Sequence, residues 1–293
     1  MSQVRPDGQD SPVTDERLAP IVAAALAEDI GRGDITSELT TEPDAPGSAL
    51  ITCKEAGVLA GTGVASLVFA TVDPSLAVVV VIGDGAKVAP RDLAMRVSGR
   101  GSSILKAERT ALNFLQRMSG IATLTAAFVR SVEGTRAKIT DTRKTAPGLR
   151  LTDKMAVLAG GGVNHRFGLY DMVLIKDNHI AAAGGIAAAV SKAAGRPGEA
   201  IEVETKTLAE VAEVLRCTGV TRIMLDNFTI DAIREAVRLI GGRLEVEASG
   251  NVSLANVRAI AGTGVDFISV GALTHSAPAL DLSLDYHPGP PRT

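Results

Sequence analysis

The stretch AKITDTRKTAPGLRLTDKMAVLAGGGVNHRFGLYDMVLIKDNH, residues 137–179, decides how the second half of this chain folds. It opens on a short apolar run, AKIT, and passes through a cationic junction at Arg143 and Lys144. It then enters the helical pattern LTDKMAVLAG and reaches a second apolar run, DMVLI. Strand, polar junction, amphipathic helix and strand make one unit of parallel βα architecture. The rhythm continues downstream, where the runs AIEV, RIML, RLEV and FISV alternate with the helical patterns GIAAAVSKAA, LAEVAEVLR, IDAIREAVRLI and SLANVRAIAG. Six apolar runs in this rhythm predict an α/β barrel, complete or incomplete, over an open sheet. A Rossmann fold would place GxGxxG straight after its first strand, whereas the glycine cluster AGGGVNHRFG follows a helix.

Upstream the texture differs. From Leu18 to about Gly101 an apolar-periodic helix (LAPIVAAALAED) leads through a Gly/Asp turn (IGRGDITSE) into two β-branched runs, ALITCKEAGVLAG and LAVVVVIGDGAKV, the pattern of an α+β module. A long helix is predicted from Ser103 to about Val132, because Ile104, Leu112, Leu115, Met118, Ile121 and Phe128 form one broad stripe; Gly120 interrupts it weakly. Residues 1–17 are polar and contain Pro and Gly, the composition of a disordered extension, and the tail HPGPPRT reads the same way.

Bulk properties narrow the function. A chain of 293 residues that is 46% hydrophobic holds one large or two medium domains. A net charge of -3 provides no global positive field, which argues against a general nucleic-acid or membrane-surface binder. Cys53 and Cys217 lie far apart without metal-ligand spacing, so both read as small buried hydrophobes of a reducing cytoplasm. The longest apolar runs, such as residues 76–82, are too short to span a bilayer and the N-terminus lacks a signal pattern, so a soluble cytoplasmic protein is expected.

In parallel barrels the chemistry gathers at the carboxyl ends of the strands. AKIT runs into Asp141, Thr142, Arg143 and Lys144; DMVLI into Lys176, Asp177, Asn178 and His179; AIEV into Glu204; RIML into Asp226 and Asn227. RLEV leads to Ser249, Gly250 and Asn251, and FISV ends in Gly271 and Ala272. The early strands thus bring cations, the middle ones carboxylates, and the last two small residues with unobstructed backbone N–H groups that suit a phosphate. Glu204 and Asp226, one strand apart among cations, suit a Mg²⁺ shared with substrate phosphates, which implies a second, polyphosphate group. His165 and Arg166 place an imidazole beside a guanidinium in a glycine-rich loop, a pair fitted to a small dicarboxylate.

Plainer readings stand beside these. Arg109 in KAERTALNF pairs equally well with Glu108 on a solvated face. His275 and His287 read as structural or surface residues, and His179 as intermediate between that and a catalytic role. Lys154, Arg130, Lys192 and Arg234 sit at spacings expected of solvated helix faces, Met155 and Met172 read as core filler, and EDIGRGD as a turn.

The segments LAEDIGRGDITS, ERTALNFLQRMSGIAT, DTRKTAPGLRLTDKMAVLAGGGVNHRFGLYDMVLIKDNHI, IEVET, IMLDNF, EASGNVSLANV and FISVGALTHS follow one another in this order. From about Leu18 to Tyr286 they resemble quinolinate phosphoribosyltransferases, the decarboxylating nicotinate-nucleotide pyrophosphorylases of NAD biosynthesis. The resemblance implies an N-terminal α+β sandwich domain over 18–118 and an open, incomplete parallel α/β barrel of about six strands over 119–272. A tail, 273–287, would return to the first domain. It also implies Mg²⁺ with phosphoribosyl pyrophosphate, no organic cofactor, and a homodimer in which the N-terminal domain of one subunit covers the barrel mouth of the other. The implied reaction converts quinolinate and 5-phosphoribosyl 1-pyrophosphate to nicotinate mononucleotide, pyrophosphate and CO₂.

Carried onto this sequence, the resemblance gives Arg143, His165, Arg166 and a neighbouring subunit's Arg109 the two carboxylates of quinolinate, with Thr142 beside them. Lys144 and Lys176 would face phosphoribosyl pyrophosphate and the reacting centre, and Glu204 and Asp226 the ribose hydroxyls and Mg²⁺. Ser249, Gly250 and Asn251 with Val270, Gly271 and Ala272 would cradle the 5-phosphate. Lys206 stands where the family often has an acidic residue, which leaves both Glu202 and Glu204 as candidates to face the site; Glu204 is preferred. Three rivals remain at this point: a barrel phosphoribosyltransferase for a mono-acid such as nicotinate or a relative tied to metal-transport operons, a Schiff-base aldolase using Lys144 or Lys176, and a non-catalytic barrel that senses phosphorylated sugars.

Overall fold

The computed structural model describes residues 16–42, 44–195 and 198–289. The extension read at 1–17 therefore lies outside the described residues except for Glu16 and Arg17, and so do residues 290–293 of the tail. The chain forms two compact units, Met1–Thr123 with Pro278–Thr293, and Leu124–Ala277.

The first unit begins with α1 (Leu18–Ile30), which buries Leu18, Val22 and Leu26 at a spacing of one helical turn. The Asp34 carboxylate then accepts the Ser37 N–H at 3.0 Å and caps α2 (Ile35–Thr40). IGRGDITSE is thus a turn only as far as Asp34. There follow β1 (Pro46–Cys53), β2 (Gly57–Val58), α3 (Thr62–Val72), β3 (Ala77–Val80), β4 (Lys87–Val88), β5 (Leu93–Arg100) and α4 (Gly101–Ser131). Helix α3 is absent from the sequence reading because TGVASLVFATV is apolar almost throughout and rich in β-branched residues, so it offers no clear polar face to set against its buried residues. Asp84 secures its start, accepting hydrogen bonds from the N–H groups of Gly61 and Thr62 at 2.8 and 2.9 Å and from the Thr62 hydroxyl at 2.6 Å. Gly120 in α4 is a close approach: a Cβ there would stand 1.9 Å from the Pro278 carbonyl oxygen.

At the other end of the chain β12 (Leu282–Pro288) pairs antiparallel with β1 from Gly47↔Pro288 to Cys53↔Leu282, in a four-stranded sheet of order β12-β1-β5-β3. His287 and Pro288, read as tail, therefore close an edge strand, where a proline without N–H is tolerated. Cys53 is buried as expected but Cys217 is half-exposed, and both are free thiols.

The second unit holds the last turns of α4 and alternates strands with helices. In order these are β6 (Lys138–Thr140), α5 (Arg150–Ala159), β7 (Val173–Ile175), α6 (Asp177–Ala183), α7 (Ile186–Ala194), β8 (Ile201–Thr205) and α8 (Leu208–Val214). After them come β9 (Arg222–Asp226), α9 (Ile230–Ile240), β10 (Glu245–Ser249), α10 (Val257–Ala261), β11 (Phe267–Ser269) and α11 (Ala272–His275). The six strands form one parallel sheet in the order β6-β11-β10-β9-β8-β7. Its two edges, β6 and β7, are not paired with each other, so the barrel is open. Side chains alternate along each strand: Ile201, Val203, Ile223, Leu225, Val246 and Ala248 form one buried apolar face. Glu202, Glu204, Arg222, Asp226, Glu247 and Ser249 form the other. Among the described residues no helix is long and apolar enough to cross a membrane.

Candidate active site

A cleft of about 740 Å³ lies at the carboxyl ends of the barrel strands. Thr142, Arg143, Lys144, His165, Arg166, Lys176, Glu204, Asp226, Ser249, Gly250, Asn251, Val270, Gly271 and Ala272 all line it. Among the sequence candidates, Arg109, exposed on α4 within the first unit, does not line the cleft, and neither does Glu202, the alternative to Glu204. The cleft also takes in Asp177, Lys206, Asn227, Glu247 and His275. The first three follow directly on strand ends, a position that was a usable signal. His275, read as structural, lines the cleft with its Nδ1 2.6 Å from the Ser276 hydroxyl. His179 instead uses Nδ1 to accept the Lys176 N–H at 3.0 Å, and so shapes the start of α6.

The rim is built from short polar contacts. Lys176 Nζ donates to Glu204 Oε2 at 2.6 Å, and Lys206 Nζ to Asp177 Oδ2 at 2.8 Å. The turns after β9 and after β10 are held in left-handed backbone, with φ of 57° at Asn227, 95° at Gly250 and 50° at Asn251. The Asn251 amide donates to Asn227 Oδ1, and the Asn227 amide to Asp226 Oδ2, both at 3.0 Å. Gly250 is required twice over, because its φ favours glycine and a Cβ would sit 2.2 Å from Asn227 Oδ1. Beyond the paired strands β6 and β11 the Thr274 hydroxyl donates to the Lys144 carbonyl at 2.9 Å. Glu204, with Oε2 on Lys176, and Asp226 offer hard oxygen donors of the kind Mg²⁺ takes.

Below the rim lies a second, buried set of charges. Lys154, read as solvated, is only 2% exposed and is ion-paired with the fully buried Asp141. Lys154 Nζ also donates to the His165 carbonyl at 2.9 Å, and the His165 N–H donates to Asp141 Oδ1 at 2.9 Å. The Asn164 amide, turned to satisfy its neighbours, adds a donor to Asp141 Oδ2 at 2.7 Å. The junction after β6 and the glycine-rich loop are therefore anchored on one ion pair. Burial pushes the Asp141 carboxyl up and the Lys154 ammonium down, and each partner opposes the other's shift.

His165 Nε2 lies 3.0 Å from Glu202 Oε2 and 3.5 Å from Glu247 Oε2, both carboxylates being fully buried. Glu202 thus sits under the cleft and Glu204 in it. Arg222 reaches Glu247 at 3.3 Å and Glu245 at 2.8 Å, and stacks 3.9 Å above the Phe267 ring. Burial opposes an imidazolium at His165, but the hydrogen bonds and charges of Glu202 and Glu247 outweigh it and raise its pKa to about 9. Burial and the Glu247 charge together raise Glu202 to about 6. Arg166 donates through Nη1 to the Met172 carbonyl at 3.2 Å, and its pKa is lowered by burial and then by the neighbouring charge of Arg143. Two guanidiniums that repel each other across a cleft are a place for an anion.

An open parallel barrel whose mouth collects lysines and arginines beside two carboxylates belongs to the class of enzymes that act on small polyanions. Residues 34–119 match the family described as quinolinate phosphoribosyl transferase, N-terminal domain, and residues 121–285 match its C-terminal domain. The chain belongs to the quinolinate phosphoribosyltransferase family. It is 50% identical over 287 residues to quinolinate phosphoribosyltransferase [decarboxylating] 1b of Nicotiana tabacum, covering 91% of this chain and 81% of the relative. It is 42% identical to a probable nicotinate-nucleotide pyrophosphorylase [carboxylating] of Bacillus subtilis, covering 92% and 93%. The solved nicotinate-nucleotide pyrophosphorylase of Francisella tularensis superimposes with a TM-score of 0.89 at 41% identity, covering 96% of this chain and all of that one.

Proposed function

We propose that this chain is a quinolinate phosphoribosyltransferase in the full chemical sense. The pyridine nitrogen of quinolinate displaces pyrophosphate from C1 of phosphoribosyl pyrophosphate. The C2 carboxylate then leaves as CO₂, its electron pair stays on the quaternised ring, and C2 takes up a proton to give nicotinate mononucleotide. The observation that carries the reading is one cleft lined both by guanidiniums, Arg143 and Arg166, and by lysines and carboxylates, Lys144, Lys176, Glu204 and Asp226.

On this reading Arg143, Arg166 and His165 hold the ring carboxylates, and Thr142 borders them. Lys144 and Lys176 face the charge that develops on departing pyrophosphate, which is electrostatic catalysis. Glu204 and Asp226 bind the ribose hydroxyls and would hold Mg²⁺, which supplies Lewis-acid stabilisation of the pyrophosphate when bound. The turns at Ser249, Gly250 and Asn251 and at Val270, Gly271 and Ala272 offer backbone N–H groups to the 5-phosphate. We assign the chain to a homodimer in the cytoplasm, with Arg109 of one subunit completing the ring-carboxylate site of the other.

The test is formation of nicotinate mononucleotide and CO₂ by the purified protein from quinolinate, phosphoribosyl pyrophosphate and Mg²⁺. Turnover of nicotinate in place of quinolinate would favour the mono-acid reading. A borohydride-trapped adduct on Lys144 or Lys176 would favour the aldolase. Size-exclusion chromatography with light scattering, and mixing of Arg109→Ala with Arg143→Ala subunits, test the shared site: activity recovered on mixing supports it.

A further inference from the structure

Directly after β9 the backbone turns left-handed at Asn227, and after β10 it does so at Gly250 and Asn251. Strands β9 and β10 are parallel neighbours with Asp226 opposite Ser249, so the two turns lie side by side. Asn227 ties them together. Its backbone N–H donates to the Ser249 carbonyl at 2.9 Å. Its Oδ1 accepts the Asn251 amide and its own amide donates to Asp226 Oδ2, both at 3.0 Å. The far side of the turn is closed as well: the Asn256 amide donates to the Asn251 carbonyl at 2.9 Å, and Asn256 Oδ1 accepts the Ser253 N–H at 2.8 Å. One chain of hydrogen bonds therefore runs from the turn at 249–251 through Asn227 to the Asp226 carboxylate.

This chain lies at the exposed rim, where a neutral hydrogen bond adds little to stability. What it fixes is geometry. With the Asn227 amide on Oδ2, Asp226 keeps Oδ1 free of hydrogen bonds among the described residues. A carboxylate held through one oxygen presents the other in a set direction, which is how outer hydrogen bonds orient side chains that bind cations. Asp226, Asn227, Ser249, Gly250 and Asn251 all line the cleft. An anion seated on the turn restrains Asn251, and through Asn227 it restrains Asp226.

We propose that Asn227 is a positioning residue that couples the two ends of one polyanion site: it passes order from an anion on the turn at 249–251 to Asp226, so that this anion and a divalent cation at Asp226 bind more tightly together than apart. By linkage the coupling is equal in both directions. The inference rests on the proposed function for placing the 5-phosphate at the turn and Mg²⁺ at Asp226. Direct attraction between the two bound ions is the rival source of coupling, and it does not need Asn227.

The experiment uses the full-length protein with Mn²⁺ in place of Mg²⁺, its binding read by electron paramagnetic resonance, and ribose 5-phosphate as an unreactive anion. The Mn²⁺ lost in Asp226→Asn defines the site. Ribose 5-phosphate should tighten Mn²⁺ binding about fivefold or more in the unaltered protein and less than about twofold in Asn227→Gly. Asn251→Gly should lose the coupling too, while its Mn²⁺ affinity without the sugar phosphate stays within about twofold, because the bond from Asn227 to Asp226 remains. Glycine keeps the left-handed backbone at both positions, so melting should stay within about 3 °C. In turnover, Asn227→Gly should raise the KM for phosphoribosyl pyrophosphate and the Mg²⁺ requirement about tenfold and leave the KM for quinolinate within about twofold.

Coupling that survives in either glycine variant would assign it to direct attraction and overturn the proposal, as would its absence from the unaltered protein. A KM for quinolinate that rises in step with that for phosphoribosyl pyrophosphate would reduce Asn227 to a structural part and overturn it likewise. If Asn227→Gly does not fold, Asn251→Gly decides alone. If the unaltered protein forms no nicotinate mononucleotide, the reading of its function fails, yet the Mn²⁺ titrations still decide whether Asn227 couples the two ends.

Discussion

The same strands carry two charged layers at different depths in the barrel, and the layers are built on opposite principles. At the rim β8 presents Glu204, β9 Asp226 and β10 Ser249, all lining the cleft beside Lys176 and Lys206. Deeper in, β8 and β10 present Glu202 and Glu247, and β9 adds Arg222. The rim pair Lys176–Glu204 is 43% and 10% exposed, an ion pair that a ligand can reopen. Floor charges are closed on one another, with His165 at 6% and Lys154 at 2%. Depth is what separates them, since solvent screens the rim and the low dielectric of the interior makes every unpaired floor charge expensive. Substitutions at the rim should therefore act on activity with little effect on stability, whereas those at the floor should act on stability whatever else they change.

The largest break comes from the floor. Lys154→Ala leaves Asp141 buried without its cation and should cost about 3–5 kcal/mol in denaturant unfolding; a loss below about 1 kcal/mol would mean that water reaches the site. Next is a pH effect. The folded His165 pKa is raised from about 6.5 to about 9, so its contribution to stability is complete below about pH 6.5 and is lost as the pH climbs through 9. Up to about 3 kcal/mol should disappear over that window in chemical unfolding, and His165→Asn should flatten the profile.

At the rim Arg143→Ala should raise the KM for quinolinate by about 30- to 100-fold while unfolding stability stays within about 0.5 kcal/mol. Unaffected quinolinate turnover would remove Arg143 from the carboxylate site. Smallest of all, Lys206→Ala removes an exposed pair with Asp177 and should change stability by less than about 0.5 kcal/mol. A change in the KM for phosphoribosyl pyrophosphate would then give Lys206 a part in the cleft beyond that pair.

Much of the rim was legible beforehand because its signals are local. Each rim residue follows a short apolar run, and a parallel barrel sends every such position to one end. The floor was not legible. In AIEVET and RLEVEAS the glutamates alternate with apolar residues, which reads as a strand with one wet face, whereas the barrel closes that face upon itself. Lys154 was misread likewise, since helical spacing shows only that it lies opposite an apolar stripe and not that Asp141 waits there. Helix α3 escaped because a segment apolar almost throughout shows little polar–apolar periodicity to detect.

By itself, then, the sequence determined the strand-helix rhythm, the barrel end at which cations, carboxylates and small residues collect, and the family, because each depends on local pattern or on motif order. Only the tertiary structure decided that Glu204 faces the cleft while Glu202 lies beneath it, and that His165 meets two carboxylates. It also showed that one Asp141–Lys154 pair anchors both cleft-lining loops. Those facts depend on which side chains from distant strands share a volume without water, and pairing across strands is a property that no single stretch of chain contains.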